Sequence, residues 1–529
     1  MNEEIEEYYE ELYRLYIDEN QPLERRYRQL RESLERVVRE KIQGNSLQTT
    51  DLAARINYVA TQYGLDLKEQ NQLHTFRLTS NDILNHRKSP VKEEFPRDLR
   101  AVAYAYRKMF AQDIPLKLFS VLPKQEIASS GKKEKMEYIR RIRVCFDYAD
   151  DTYLYVHPVD VIADELIRVV YNKPGINHEF EETIKELWRY AQLNLLDVSV
   201  DRDGIYTPSF IVLEPDYLID ISSLAECYKD YGSHPANYFL SRLVPIDNAR
   251  PLLLGNIANL FLDEWIHAGE EEPDYIDCMK KAFRQYPIEL AACAELRDPS
   301  KEKEFAKDCR MHFEHIRDVV QHTFLEPGYN LDKKEAVLEP SYICEALGIQ
   351  GRLDYMQRDM SSFIEMKSGK ADEFSMQGKV EPKENNKVQM LLYMAVLEYS
   401  MGQDRRRMHP YLLYTRYPLL YPARASWAQV RRVINLRNRI VAAEYGVQFH
   451  NHPDFTRNLL AQINPEVVNE RKLSGRFWEQ YLKPSISRFR EKLSALEPLE
   501  QAYFYTLYNF ITKELYTSKS GDVDYEGRA

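Results

Sequence analysis

Apolar residues recur at helical spacing over the first forty positions: Ile5, Tyr8, Leu12 and Leu15, then Leu23, Tyr27, Leu30, Leu34, Val37 and Ile42. The period breaks at Asn20-Gln21-Pro22, so two helices are predicted there, densely charged and suited to pairing with each other or with a partner. FPRDLRAVAYAYRKMF (95–110) continues the helical pattern. After Pro115 alternation takes over in LKLFSVL, RIRVCFDY and TYLYVHPV, the last two joined across Ala149-Asp150-Asp151, which reads as strands. A helix is expected over HEFEETIKELWRYAQL, followed by the strands LNLLDVSV and SFIVLEP. Beyond about residue 445 helical patterns return in RFWEQYLKPSISRFREKL and EQAYFYTLYNFITKEL. Four regions follow: a helical N-terminal region at 1–112, a β-rich, barrel-like module at 113–215, an α/β core with a mixed central sheet at 216–445, and a helical C-terminal segment at 446–529.

Two short segments of that core carry chemistry. GIQGRLDYM (348–356) and FIEMKSGK (363–370) each alternate and read as strands, with residues 357–362 suited to a hairpin turn. Side chains two apart on a strand share a face, so Glu365 and Lys367 are expected to point together, with Ile364 and Met366 turned to the buried side. Carboxylates on neighbouring strands, Asp354 and Glu365, supply hard oxygen ligands for Mg²⁺ or Mn²⁺. Such an ion makes hydroxide from bound water and neutralises charge on a scissile phosphate, where Lys367 adds a fixed cation. An acid two before a lysine is common on any solvated strand. What sharpens it is Asp354 eleven positions upstream in Gly-x-x-Gly-Arg-Leu-Asp, and the run KVQMLLYMAVLEYS downstream, a predicted helix that stacks Gln389 over Tyr393.

Asp354, Glu365-Met366-Lys367 and Gln389-x-x-x-Tyr393 together resemble the PD-(D/E)xK nucleases of the RecB type, closest to the nuclease domain of the eukaryotic helicase-nuclease that processes flaps and broken ends. The likeness extends through FIVLEPDYLIDISSLAEC, LLLGNIANLF, LLYTRYPLLYPA and INLRNRIV, over about residues 190–445. It implies a restriction-endonuclease-like core and metal-dependent hydrolysis of DNA, with single strands expected as the substrate. Asp354, Glu365 and the main-chain carbonyl of Met366 would ligate the ion, Lys367 would orient water or stabilise developing charge, and Gln389 and Tyr393 would position the hairpin or the strand. Glu339, in VLEPSY, matches an acid of the relatives beside the metal, although a plain surface role fits it equally. A helicase would act in cis or in trans, the chain being either the front of a longer polypeptide or a stand-alone nuclease.

Two departures accompany the resemblance. Where the relatives carry a metal-binding histidine after the Leu-Gly-Asn segment this chain has Asn259, whose amide oxygen ligates transition metals more weakly than imidazole. Of the six cysteines only Cys227 falls where the relatives' first cluster ligand stands, and none follows Cys344, so no iron-sulfur cluster is expected. Cys278, Cys293 and Cys309 are spaced too irregularly for zinc and read as buried thiols. KSGK is not a phosphate-binding loop, because Ile364 and Ala371 occupy its required glycine and Ser/Thr positions. His312, His315 and His322 recur at helical spacing; a metal face is one reading, and solvated imidazoles on a charged helix are the simpler one.

Net charge is −11 over 529 residues, which argues against coating of DNA by the whole surface. Residues 401–440 are the exception: nine arginines stand against the single acid Asp404. Arg416, Arg424, Arg431 and Arg432, interleaved with tyrosines and Trp427, suit a groove that tracks phosphates while aromatic faces meet unpaired bases; the alternative is a solvated helix over core aromatics. No apolar run reaches membrane-span length, the acidic start MNEEIEEYYEELYRLY is the reverse of a signal peptide, and cysteines are few, so the cytoplasm is the expected location. An exonuclease of RecB or CRISPR-associated type is the rival within the class. A DNA-binding or scaffold subunit with a decayed metal site is the rival outside it.

Overall fold

The helical period of the first forty residues folds as helices Glu3–Ile17 and Leu23–Ile42, separated by a turn at Asn20-Gln21-Pro22. The computed structural model describes residues 3–42, 52–123, 137–159, 166–243, 250–329, 331–374, 379–424, 426–450 and 452–520. The chain forms two units, one of Met1–Pro215, Val441–His452 and Tyr508–Ala529, the other of Asp216–Ile440 and Pro453–Leu507. Both mix helices and sheets. No helix among the described residues is long and apolar enough to cross a membrane.

In the first unit, helices Leu52–Gln62, Leu67–Leu84 and Phe95–Phe110 join the first two around Leu12, Tyr27, Leu30, Leu34, Phe76, Leu99 and Tyr106, all at most 1% exposed. Two polar side chains caught in this core show how buried dipoles are satisfied. The Arg26 guanidinium donates to the carbonyls of Leu15 (2.7 Å) and Tyr16 (2.9 Å), and the Tyr27 hydroxyl donates to Asp98 Oδ2 (2.8 Å).

Strands β1 (Glu137–Ala149), β2 (Tyr153–Pro158), β3 (Ile167–Val170), β4 (Gln192–Val200), β5 (Ile205–Thr207) and β6 (Phe210–Leu213) follow. Their order is β1-β2-β3-β5-β4, with β4 pairing back to β1, so five strands close into a barrel and β6 is added outside β4. Only β3–β5 is parallel among these pairs. Two expectations fail here. LKLFSVL is not a strand: Leu116–Phe119 is one short helical turn with Leu116 and Phe119 exposed. The helix expected over HEFEETIKELWRYAQL is cut to His178–Phe180 and Glu181–Lys185. The chain beyond is taken by the barrel instead, the Tyr190 amide donating to the Phe146 carbonyl (2.7 Å) and the Phe146 amide to the Ala191 carbonyl (2.8 Å).

The second unit holds β7 (Ile219–Asp220), β8 (Ala336–Leu338), β9 (Ser341–Cys344), β10 (Ile349–Arg352), β11 (Tyr355–Gln357), β12 (Ser362–Lys367), β13 (Asp372–Phe374), β14 (Lys379–Glu381), β15 (His409–Tyr414) and β16 (Leu419–Pro422). The large sheet runs β16-β15-β12-β11-β8, mixed because β12 and β15 are parallel; β7-β10-β9 form a smaller sheet, and β13 pairs with β14. Helices Arg250–His267 and Pro299–Gln321 cover one face of the large sheet through Ile257, Phe261, Phe313 and Ile316 against Tyr355, Ile364, Met366 and Leu413. Helix Glu384–Met401 lies on the other. Helix Trp427–His450 and the helices from Pro453–Ala461 onward complete the chain.

Burial raises the Asp98 carboxyl to about 6, against the help of the Tyr27 hydroxyl. The folded state therefore holds the proton that the unfolded chain releases at 3.8, so stability falls as pH rises from about 4 to 6, and the cost is fully present above. Asp98→Asn should keep the Tyr27 bond, remove that slope and stabilise the protein at pH 7 by on the order of 2 kcal/mol. Urea unfolding at pH 4.5 and 7 checks this; a variant weaker at pH 7 would contradict it.

Candidate active site

The hairpin read from FIEMKSGK and its upstream partner forms, Tyr355 facing Ile364 and Met356 facing Phe363. GIQGRLDYM, however, is not one strand. It crosses from the small sheet (β10) to the large one (β11) at Leu353-Asp354, and β8–β9 makes the same crossing alongside it at Glu339-Pro340. The crossings are bonded to each other, Glu339 N–H to Asp354 carbonyl and Leu353 N–H to Pro340 carbonyl, both 3.1 Å. Glu339 takes φ +49, a left-handed conformation uncommon outside glycine, and its carboxylate accepts from Arg352 Nη1 at 3.1 Å. The corner has a consequence for the acid. Past Tyr355 the main-chain ladder ends, and the Asp354 carboxylate takes the next amide of β12, Met366 N–H, at 2.6 Å.

Alternation along β12 sends Ile364 and Met366 into the helix-covered core and Glu365 and Lys367 to the opposite side. That side is not open, as a solvated strand would be: Glu365 is 4% exposed. Its Oε1 accepts from Lys367 Nζ (2.9 Å) and Gln389 Nε2 (2.6 Å), while Gln389 Oε1 accepts from Lys367 Nζ (2.8 Å). Burial raises the Glu365 carboxyl, Asp354 adds to this, and Lys367 opposes it. Lys367 also loses solvent, but Glu365 and Asp354, with Glu226, hold its ammonium charged. Asp354, half-buried, is raised by desolvation against its bond to Met366. Gln389 and Tyr393, one turn apart on helix Glu384–Met401, do separate jobs. Gln389 closes the charge network, and Tyr393 donates to the Arg352 carbonyl just before the corner.

Asn259 is half-buried on helix Arg250–His267, its side chain without a hydrogen bond among the described residues. One turn before it a Cβ at Gly255 would lie 3.4 Å from Ser368 Oγ, so this helix face looks toward the end of β12. One turn after it comes Asp263, which the sequence reading missed. Its carboxyl is pushed up to about 6 by burial and by the charges of Glu339 and Asp354. The four-residue step from Asn259 was the available signal. Among the described residues no three His, Cys, Asp or Glu side chains converge closely enough to complete a metal site alone.

The basic stretch divides. Arg424 and Arg432 are exposed and Arg416 half-buried, but Arg431 is buried, and Trp427 is covered by the Arg405 guanidinium 4.7 Å from its ring. Arg437 is fully enclosed, donating to the carbonyls of Gly348 (3.1 Å) and Tyr217 (2.6 Å). Helix Trp427–His450 thus turns part of the charge of this stretch inward and leaves the rest at the surface. The histidines differ in their surroundings. His312 is fully buried and pushed down to about 4 by desolvation, whereas His315 meets the Thr415 carbonyl (3.0 Å) and His322 that of Asp318 (3.3 Å). All six cysteines are buried thiols.

No protein-family model matches the chain, and no curated protein matches it.

Gly348 has φ +65, and a methyl there would collide with the Arg437 guanidinium. Gly348→Ala should thus destabilise by on the order of 2–4 kcal/mol, against under about 1 for Gly369→Ala, where nothing lies within 4 Å. Equal urea midpoints for the two variants would show that the close approach is not a constraint.

Proposed function

We propose that this chain is a divalent-metal-dependent nuclease that hydrolyses phosphodiester bonds in single-stranded DNA, on an α/β core of restriction-endonuclease-like kind. The observation that carries the reading is the juxtaposition of Asp354, Glu365 and Lys367 at one end of β12, with Gln389 locking the last two together. A surface ion pair needs none of this burial.

The donor set suits a hard cation. Glu365 Oε2 is buried with no hydrogen-bond partner among the described residues, an expensive state for a carboxylate oxygen that a cation relieves. Asp354 and the Met366 carbonyl would share the ion, and Mg²⁺ commonly takes only one or two carboxylates, with water and substrate phosphate completing its shell. Bound there, the ion would supply an activated water and neutralise phosphate charge. Lys367 has three N–H donors and gives two, to Glu365 and Gln389, leaving one for a phosphate oxygen or the attacking water. Gln389 fixes the direction of that donor. Asp263 and Glu339 add negative charge around Asp354, which favours a cation in the same space.

Lys367→Ala should lower Mg²⁺-dependent cleavage of labelled single-stranded DNA by at least about 100-fold. Its fold should persist, since Lys367 is half-exposed and Glu365 keeps the Gln389 bond and can take up a proton. Undiminished cutting would sink the mechanism. Calorimetry should find Mg²⁺ or Mn²⁺ binding that Asp354→Asn removes; a natural chain that binds neither ion would instead be a non-catalytic subunit. Opening of circular single strands separates an endonuclease from an exonuclease.

A further inference from the structure

The barrel of the first unit carries an aromatic surface that its own folding does not use. Its interior is filled by Val144, Leu154, Val156 and Val169, all fully buried. Alternation then turns Tyr153 and Tyr155 of β2 outward, and the irregularity in β1 between Phe146 and Tyr148 sets Tyr148 opposite Tyr155 on the same outer face. Arg168 of β3 is in register with Tyr155. Tyr148 and Tyr155 are stacked, with ring centres 4.3 Å apart and planes within 13°, and Tyr153 meets Tyr155 edge-on at 6.4 Å. The outer side of Tyr148 faces water, the residue being 50% exposed. The Arg168 guanidinium lies 5.8 Å from the Tyr153 ring, donates to the Asp203 carbonyl, and has no carboxylate partner among the described residues.

We propose that this outer face of β1, β2 and β3 is a stacking platform for single-stranded DNA. Parallel tyrosine rings continue into a stack of unpaired bases, since every base presents a π-face, and an arginine beside them meets the phosphate. One kind of five-stranded Greek-key barrel binds oligonucleotides on the face of its second and third strands. The neighbouring acids do not oppose this strongly. Asp150 Oδ1 caps the hairpin by accepting the amides of Thr152 and Tyr153, its Oδ2 accepts the Tyr155 hydroxyl, and Asp147 is held between Arg189 (2.7 Å) and His157 (3.4 Å). Asp151, at the hairpin tip, is exposed.

The site does not rest on the nuclease reading, because binding here requires no cleavage. The test is fluorescence anisotropy of a labelled oligothymidylate with the full chain in a Lys367→Ala background, where no cutting depletes the probe. Tyr148→Ala should weaken binding roughly 5- to 100-fold and Tyr148→Phe should leave it unchanged. Arg168→Ala should reduce the slope of log affinity against log salt by about one. Tyr148 and Arg168 are exposed, so neither change threatens the barrel, and circular dichroism verifies this. Affinity unaffected by Tyr148→Ala and Arg168→Ala, or equal affinity for duplex DNA or for RNA, overturns the platform and leaves the result for Lys367 in cleavage standing.

Discussion

A carboxylate enclosed between two covered faces of a sheet is the constraint on which the second unit depends. Glu365 sits in β12, whose other face is packed with Ile364 and Met366 against two helices, so it cannot swing out to water. Leaving an unpaired charge there would cost several kcal/mol. Lys367 and Gln389 are what make it tolerable, and they require β12 to be straight over three residues and helix Glu384–Met401 to present Gln389 at one height. One oxygen, Oε2, has no hydrogen bond among the described residues. That oxygen lies on the strand face next to Asp354, whose charge adds to the cost of a carboxylate there.

Around this strand the rest of the unit behaves as a frame. The paired crossings at Glu339-Pro340 and Leu353-Asp354 let one long hairpin belong to two sheets, and the change of direction delivers Asp354 to the Met366 amide. The crossing is held from both ends. Tyr393 takes the Arg352 carbonyl, and Arg437 takes the carbonyl of Gly348 where the hairpin turns. Gly351 allows the Tyr393 ring to come close, a Cβ there lying 3.1 Å from the ring edge and 3.0 Å from Ile221. The two glycines of Gly-x-x-Gly-Arg-Leu-Asp thus have separate packing reasons, one an arginine and the other a tyrosine.

The first unit uses its polar residues differently. Its core bonds Arg26 and Asp98 to carbonyls and a hydroxyl, with the apolar interior closed around them. Its barrel buries aliphatic side chains and keeps tyrosines outside, the reverse of what burial of large rings favours. An exposed aromatic pair that seals no core is most simply accounted for by something that stacks on it.

Local spacing carried much of this in the sequence itself. The period of two in FIEMKSGK was enough to put Glu365 and Lys367 on one side of a strand, and the four-residue step from Gln389 to Tyr393 put both on one helix face, because each relation spans only a few bonds of regular backbone. The break at Asn20-Gln21-Pro22 and the helix Phe95–Phe110 were legible for the same reason. What the chain could not show locally were relations set by partners far away. Strand pairing with Phe146 shortened the helix after His178, and a sheet-to-sheet crossing divided GIQGRLDYM. Packing turned Arg431, Arg437 and His312 inward although their neighbours read as solvated, and Asp263 acquired its acidic company only when its helix met the corner at Glu339. Periodicity determines which side chains share a face; the tertiary structure decides what that face meets, and with it which charges are buried, paired or left free.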